Sequence, residues 1–221
     1  MSKKTLLSWS GGKDSARALY EIQKGSDYGV AALLTTITED YDRISMHGVR
    51  RVLLERQADA LGLPLQKIYI PKDATNGLYE SRLRASLEEG LRGGIDTVAF
   101  GDIFLEDLKQ YREKNLAQLG MKGLFPIWKR DSRELVSSFI QLGFKAVVVC
   151  VDSKALEQSF VGKVIDQDFL RRLPGGVDPC GENGEFHSFV FDGPIFMGKV
   201  GYAVGETVFR DAFWFCDLQP V

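Results

Sequence analysis

The chain has 221 residues, of which 44% are hydrophobic and 26% are charged, as is typical of a soluble globular protein with one large domain or two modest ones. Its formal net charge of -2 provides no overall field to hold nucleic acid, and its longest apolar run, residues 146–151, is too short for a membrane-spanning helix, which needs about 20 residues. Cys150, Cys180 and Cys216 are odd in number and far apart, and the N-terminus does not continue into an apolar export signal. We therefore expect a cytoplasmic protein without structural zinc and without a membrane or nucleic-acid partner.

The first half of the chain alternates short β-branched runs with helical patterns, which predicts βαβ units and a parallel sheet. Strands are predicted at residues 5–9, 30–37, 65–70 and 97–100. Apolar residues at helical spacing lie between them and predict helices packed on the sheet. These residues are Leu19, Ile22, Val49, Leu53, Leu61, Leu83, Leu87 and Leu91.

The second half begins after a charged helix predicted at residues 105–119, which Gly120 ends. A helix at 132–142 and a buried strand at 145–151 predict another αβ step. Beyond Pro174 the chain turns to Gly-rich and Asp-Pro turns, with β-rich segments at 185–192 and 207–217. We place a domain boundary near residue 122, which gives a larger domain at 1–122 and a smaller α/β domain at 123–221.

The segment Ser10-Gly11-Gly12-Lys13-Asp14-Ser15 joins the first strand to the first helix and predicts a phosphate-binding loop, because small residues let backbone N–H groups approach oxyanions at a helix N-terminus. Lys13, interpreted as a surface lysine, adds charge, and the two serines add hydroxyl donors. The loop is not a Walker A motif, since Leu7 and Asp14 stand where glycine and Ser or Thr are required, and no Gly-x-Gly-x-x-Gly is present. Asp14 or Ser15 also suits a helix cap, but an Asp beside bound phosphate favours a role in holding Mg²⁺.

Six specified residues in this strand-to-helix context resemble the pyrophosphate loop of the N-type ATP pyrophosphatases. Further segments resemble one branch of that family, the diphthine–ammonia ligases and their bacterial relatives, so that the resemblance covers nearly the whole chain. They are Met46-His47-Gly48-Val49, Phe100-Gly101-Asp102-Ile103, Pro126-Ile127-Trp128 and Cys180-Gly181-Glu182-Asn183-Gly184-Glu185-Phe186. The resemblance implies a HUP-like, Rossmann-like fold of the adenine nucleotide alpha hydrolase type in the N-terminal domain.

The resemblance also implies an AMP-forming amide ligase: a substrate carboxylate attacks the α-phosphate of ATP, pyrophosphate leaves, and ammonia displaces AMP. ATP and Mg²⁺ are the expected cofactors, and the expected partners are a carboxylate-bearing acceptor and ammonia, with a homodimer left open. The expected catalytic residues are Lys13, Asp14, Glu182 and Glu185, with Asp14 at the metal. The expected nucleotide contacts are Ser10, Gly11, Gly12, Lys13, Asp14, Ser15, Thr36, His47, Gly101 and Asp102, because ligands lie at the carboxyl ends of parallel strands.

One departure from the ligase pattern lies in the acceptor segment. His187 and Ser188 stand where diphthine–ammonia ligases usually carry Glu-Thr, so an acidic group is replaced and the acceptor need not be diphthine. Two other functions stay open. One is activation of a tRNA base, for which cysteine pairs or a basic domain would be expected, and the other is a non-enzymatic ATP sensor, for which the acidic turn at 182–186 would be superfluous.

Overall fold

A mostly parallel sheet organises the first half of the chain. The computed structural model describes residues 2–45 and 47–221, and this sheet has six strands within them. They are β1 (Lys3–Ser8), β2 (Tyr28–Thr38), β3 (Arg43–Ile44), β4 (Leu65–Ile70), β5 (Thr97–Ala99) and β6 (Lys122–Leu124). The helices of this half are α1 (Lys13–Lys24), α2 (Arg51–Leu61), α3 (Asn76–Arg92) and α4 (Glu106–Ala117). They alternate with the parallel strands, which confirms the predicted α/β class.

The strand order of this sheet determines where a ligand can bind. The parallel strands lie in the order β4-β2-β1-β5-β6, while β3 is antiparallel to the end of β2. From central β1 the chain proceeds outward through β2 and β4, and it later fills the other side with β5 and β6. The order reverses between β1 and β5, so the segments that follow these two strands flank the crevice typical of such sheets.

The second half of the chain forms a smaller antiparallel sheet. Its elements are α5 (Ser132–Gln141), β7 (Lys145–Asp152), α6 (Gln167–Arg172), β8 (Phe186–Asp192), β9 (Tyr202–Arg210) and β10 (Phe213–Pro220). The strands lie in the order β8-β7-β10-β9, and β7 is buried along nearly its whole length. Its residues join one apolar core with those of β1, α1 and α2, so the two sheets share a core.

The structure corrects two predictions about the elements and adds the strands β3 and β6, which were not predicted. Strand β7 follows α5 but pairs antiparallel with β8 and β10, so it does not extend the parallel sheet. The β-rich segment predicted at 207–217 is two strands of a hairpin that turns at Asp211 and Ala212. Strand β6 was missed because it is three residues long, and it crosses the boundary predicted near residue 122. That domain boundary stays a prediction.

Within the described residues, no helix is both long enough and apolar enough to cross a membrane.

Gln57 is a buried amide that joins the two sheets. Its side chain is fully buried on α2, where it accepts a hydrogen bond from Trp9 Nε1 at 3.1 Å. Its Nε2 donates to the backbone oxygens of Gly11 at 3.0 Å and Val190 at 2.6 Å. Because these groups are cut off from water, Trp9 Nε1 and the Val190 carbonyl depend on Gln57 for a partner that solvent cannot replace, whereas the Gly11 carbonyl also accepts from the Val190 amide.

Asp217 on β10 holds a second junction, on the partly exposed side of the molecule. It accepts from Arg43 at 2.8 Å and from Arg50 through both carboxylate oxygens, at 2.9 and 2.8 Å. The hydrogen bonds from Arg50 outweigh partial burial, and with those from Arg43 they lower the pKa of Asp217 to about 2. The ion pairs therefore link β3 and the start of α2 to the C-terminal hairpin.

We expect Gln57→Leu to lower the free energy of unfolding by about 2–4 kcal/mol, because it leaves Trp9 Nε1 and the Val190 carbonyl buried without hydrogen-bond partners. Urea denaturation measures the loss. Gln118→Leu, at an exposed position of the same residue type, is the matched control and should change stability by less than about 0.5 kcal/mol. Equal stabilities of the two variants would contradict the role given to Gln57.

The Asp217 junction should make stability depend on pH in the acid range. Because the folded pKa lies below the ordinary value of 3.8, the stabilisation is complete above about pH 4 and is lost as pH falls toward about 2. Asp217→Asn should cost about 1 kcal/mol at pH 7, after allowance for water screening of Arg43 and Arg50, whose side chains are 31% and 42% exposed. Denaturation at pH 7 and near pH 2.5 checks this, since the gap between wild type and variant should close in acid. A gap that persists there would overturn the assignment.

Candidate functional site

The predicted phosphate loop lies between the end of β1 and the start of α1, at the point where strand order reverses. Gly11 has a φ of +76°, and a Cβ there would lie 2.6 Å from Gln57 Oε1, so both conformation and space require glycine. The Ser10 hydroxyl accepts from the amide of Gly12 at 3.2 Å and lies 3.3 Å from the Ser15 hydroxyl. Ser15 also donates to the Gly12 carbonyl at 2.9 Å, so the loop is tied internally.

Strand β8 ties the same loop from outside. The Lys13 amide donates to the Ser188 hydroxyl at 3.2 Å, and the Val190 amide donates to the Gly11 carbonyl at 2.9 Å. Together with Gln57, these contacts make the C-terminal sheet part of the loop's support. Sequence reasoning missed both Gln57 and Ser188 as loop contacts. The available signal for Gln57 was a polar residue on the buried stripe of α2, beside Leu53, Leu54 and Leu61.

Lys13 is buried, with 4% of its surface exposed, so the interpretation of a surface lysine was wrong. Its ammonium donates to Asp14 at 2.9 Å and lies 5.0 Å from the centre of the Phe186 ring. Burial has the largest single effect and would lower the pKa of Lys13, but the neighbouring carboxylate of Asp14, together with Cys180 and Glu182, raises the pKa above its ordinary value. Lys13 is thus a fixed positive charge at the floor of the loop.

The segment after β5 lies against this loop. A Cβ on Gly101 would approach the backbone carbon of Asp14 to 2.7 Å, so only glycine fits there. Asp102 is 8% exposed and forms a two-point ion pair with Arg112 of α4, at 2.6 and 3.1 Å. Arg112 in turn stacks over Phe100 at 4.3 Å. The structure therefore brings Gly101 and Asp102 to the predicted place, with the carboxylate of Asp102 neutralised by Arg112.

The acidic turn before β8 places its two glutamates differently. Glu185 is buried and accepts from the amides of Asp178 and Asn183 and from the Asn183 side chain, all within 3.0 Å, so it organises the turn itself. Glu182 lines the cleft and accepts from the Ile103 amide at 2.8 Å. Burial is the main cause that raises the pKa of Glu182, to about 7, so this carboxyl can exchange a proton near neutral pH.

Two histidines form the rim of the cleft beside the loop. The rings of His47 and His187 lie with their centres 4.5 Å apart and their planes tilted by 37°. Burial is the main cause that lowers the pKa of each, that of His187 to about 4, and the charge of Lys13 adds to it. Both imidazoles are therefore neutral at pH 7. The Met46 part of the segment quoted above lies outside the described residues.

The loop separates two chambers of one cleft. The smaller, about 210 Å³, is lined by the loop, the two histidines, Asp102 and Glu182. The larger, about 400 Å³, is mainly apolar and lies beyond the ends of β1 and β2, with Thr35 and Thr36 in its wall. The two chambers share Ser8, Ser10, His47, Phe100 and Arg112. The hydroxyl of Thr35 is buried without a hydrogen-bond partner, as expected of a group that forms a hydrogen bond to a ligand.

The donor set fits magnesium bound together with a phosphate ligand. Within the described residues there is no group of three or more His, Cys, Asp or Glu side chains that would hold a metal by itself. Magnesium usually takes only one or two carboxylates and completes its shell with substrate phosphates and water. The side chain of Asp14 is 30% exposed at the loop, which suits that arrangement.

Comparison with known proteins agrees with this geometry. The family model of the diphthamide synthase N-terminal domain matches residues 3–123, and that of the C-terminal domain matches residues 131–219. A diphthine–ammonia ligase of Danio rerio is 28% identical over 92% of this chain and 89% of its own length. The human protein of that name is 26% identical over 92% of the chain and 84% of its own length. One from Schizosaccharomyces pombe is 27% identical over 95% of the chain but only 38% of its own length.

These matches confirm the predicted family and the predicted enzyme class, an ATP-dependent amide ligase resembling the diphthine–ammonia ligases. They do not assign the individual site residues, whose roles stay predictions. The N-terminal model alone covers more than half of the chain, and the C-terminal model covers most of the remainder. The chain therefore belongs to the diphthamide synthase family.

Proposed function

We propose that this protein joins ammonia to an acceptor carboxylate at the expense of ATP, which it cleaves between the α- and β-phosphates. The single observation that carries the proposal is the meeting of the phosphate loop and Glu182 in one cleft. The first is suited to the pyrophosphate leaving group and the second to proton transfer. A cleft with only the first would suit a sensor as well as an enzyme.

The larger chamber supplies the place for the nucleoside. Its volume of about 400 Å³ and its apolar wall suit a flat aromatic base, with few polar groups to orient it. The unpartnered Thr35 hydroxyl and the neighbouring Thr36 offer such groups at the end of β2. Since Ser8 and Ser10 line both chambers, a base bound in the larger one would leave the phosphates at the loop.

Lys13 is suited to the negative charge of the phosphates, and Asp14 is suited to the positive charge of the metal. The two side chains form an ion pair at 2.9 Å at the floor of the loop. There Lys13 would face the pyrophosphate oxygens and Asp14 would help to hold Mg²⁺. When bound, Mg²⁺ neutralises phosphate charge and so stabilises the leaving group. Lys13, held by burial, stabilises the same charge without reorganisation of solvent.

Glu182 would serve the second half of the reaction. The acceptor carboxylate oxygen forms a bond to the α-phosphorus as the bond to the leaving pyrophosphate breaks. Ammonia then attacks the acyl carbon, AMP departs, and one proton must leave the nitrogen. Because the pKa of Glu182 is raised to about 7, about half of this carboxyl is ionised at neutral pH, and the ionised form can accept that proton.

Other parts of the structure support a cytoplasmic location and an acceptor other than diphthine. Cys150, Cys180 and Cys216 are free and buried, which supports a reducing cytoplasm as the place of action. The neutral pair of His47 and His187 at the rim supports an acceptor other than diphthine, because it replaces the acidic group usual at residue 187 in diphthine–ammonia ligases.

The products of ATP cleavage test the proposal directly. With Mg²⁺, α-labelled ATP, ammonium and a panel of carboxylate acceptors, we expect AMP and pyrophosphate in equal amounts. Lys13→Gln should lower the rate at least about 100-fold, the usual cost of removing one donor to a developing charge. Lys154→Gln, at an exposed position outside the cleft, is the matched control and should keep the wild-type rate. ADP and phosphate that disappear in Lys13→Gln would overturn the proposed bond cleavage.

The pH dependence of amide formation tests Glu182. At a fixed concentration of unprotonated ammonia, the rate should rise with pH and level off, with a midpoint near 7, because only the ionised carboxylate accepts a proton. Glu182→Gln should lose this rise and about 100-fold or more of the rate, while its ATP affinity stays within about twofold. Glu185→Gln should keep the midpoint and instead melt at a lower temperature, since Glu185 organises the turn. If Glu182→Gln keeps both rate and pH profile, Glu182 only anchors the Ile103 amide.

A further inference from the structure

Strand β9 is an open sheet edge, and none of its residues lines either chamber of the cleft. It forms one end of the C-terminal sheet and pairs only with β10 among the residues that the structure describes. Its nine residues are exposed or nearly so on both faces, including the apolar Val204, Val208 and Phe209. Natural proteins usually protect such an edge with lysine, proline or a covering segment, and β9 contains neither residue type.

The hairpin turn determines which groups of β9 point outward. Asp211 and Ala212 have φ values of 50° and 70°, as in a two-residue type I′ turn, which makes Arg210 and Phe213 a hydrogen-bonded pair. Bonded and non-bonded pairs alternate along antiparallel strands. Val208 therefore bonds to β10, while the N–H and C=O groups of Thr207 and Phe209 point to the free edge.

This pattern permits pairing of the edge with itself. In a two-fold arrangement centred on Val208, Thr207 of one copy lies opposite Phe209 of the other, and both residues have outward-pointing backbone groups. The same register places Glu206 opposite Arg210 of the second copy, and symmetry creates this pair of opposite charges twice. A register centred on Glu206 or on Arg210 would instead place two identical charges opposite each other across the two-fold axis.

The irregularity of β9 does not disturb this segment. The register with β10 shifts between Val204 and Thr207 and is uninterrupted from Thr207 to Arg210. The rings of Phe209 and Trp214 contact each other at a tilt of 48°, with centres 4.7 Å apart, and the guanidinium of Arg210 lies over the Tyr41 ring at 5.1 Å. These contacts hold the side chains of Phe209 and Arg210 in place near the free edge within the single chain.

We propose that two copies of this chain associate through antiparallel pairing of their β9 edges about a two-fold axis at Val208, which joins the two C-terminal sheets into one. The partner is a second copy because the charges of the edge are complementary to themselves. The clefts are not involved, so the proposal is independent of the ligase function.

Charge reversal provides the test, by sedimentation velocity of the full chain over a concentration series. Wild type should show a concentration-dependent monomer–dimer equilibrium. Glu206→Arg and Arg210→Glu should each raise the dissociation constant about tenfold, because each places like charges together at both symmetric sites. The double variant, Glu206→Arg with Arg210→Glu, should restore dimerisation, and an equimolar mixture of the two single variants should form heterodimers. Glu157→Arg, an equal charge change at another exposed position, is the matched control and should leave the constant unchanged.

The outcomes that would overturn the proposal are equally specific. They are a wild type that stays monomeric throughout the series, and a dimer that is insensitive to both single reversals. Association with another kind of partner in place of a second copy would count against it in the same way. Thr207→Pro provides an independent check, since it removes an N–H that points to the free edge and spares the pairing with β10. Circular dichroism melting of each variant confirms that loss of the dimer does not result from unfolding.

Discussion

The backbone of residues 11–13 is held from two sides, and the remainder of the site depends on that constraint. Gln57 and the Val190 amide hold the Gly11 carbonyl, and Ser188 holds the Lys13 amide. The loop that follows β1 is thus shaped by a helix of the parallel sheet and by a strand of the antiparallel sheet. A chain cut near residue 122 would retain the loop sequence but lose the contacts from β8, so the two halves form one functional unit.

Burial arranges the charges of the cleft into pairs with one exception. Lys13 is paired with Asp14 and Arg112 with Asp102, as expected where desolvation makes an unpaired charge expensive. Glu182 has only a backbone amide as a partner, and burial raises its pKa to about 7. Burial also raises the pKa of Asp14, against the charge of its partner Lys13. The paired groups suit binding of charged phosphates and metal, while the unpaired carboxyl suits proton transfer. The same low-dielectric setting accounts for both properties.

The sequence predicted the features that depend on local residue type. The loop at 10–15, the parallel strands and the fold class follow from small residues, β-branched runs and spacing, and they agree with the structure. The burial of Lys13 could not be predicted, because it depends on contacts with residues far away in the chain, among them Phe186. Glu182 and Glu185 are three positions apart in the same turn, and only the folded structure shows that Glu185 turns inward to accept from the amides of that turn while Glu182 faces the cleft. Hairpin β9–β10 was merged into one segment because its turn uses Asp-Ala instead of the usual glycine.

The charged and the uncharged groups of the cleft come from different segments. The loop and the segment after β5 carry Lys13, Asp14 and Asp102, whereas His47 and His187 form the rim beside the loop. Because Lys13 and burial keep both imidazoles neutral, the rim offers hydrogen bonds and a flat surface but no charge at pH 7. A cationic acceptor therefore gains no attraction from residue 187 and would depend on Glu182 alone. Exchange of the rim residue can thus alter which carboxylate is accepted while the phosphate loop, bound by Ser188 and Gln57, keeps its shape.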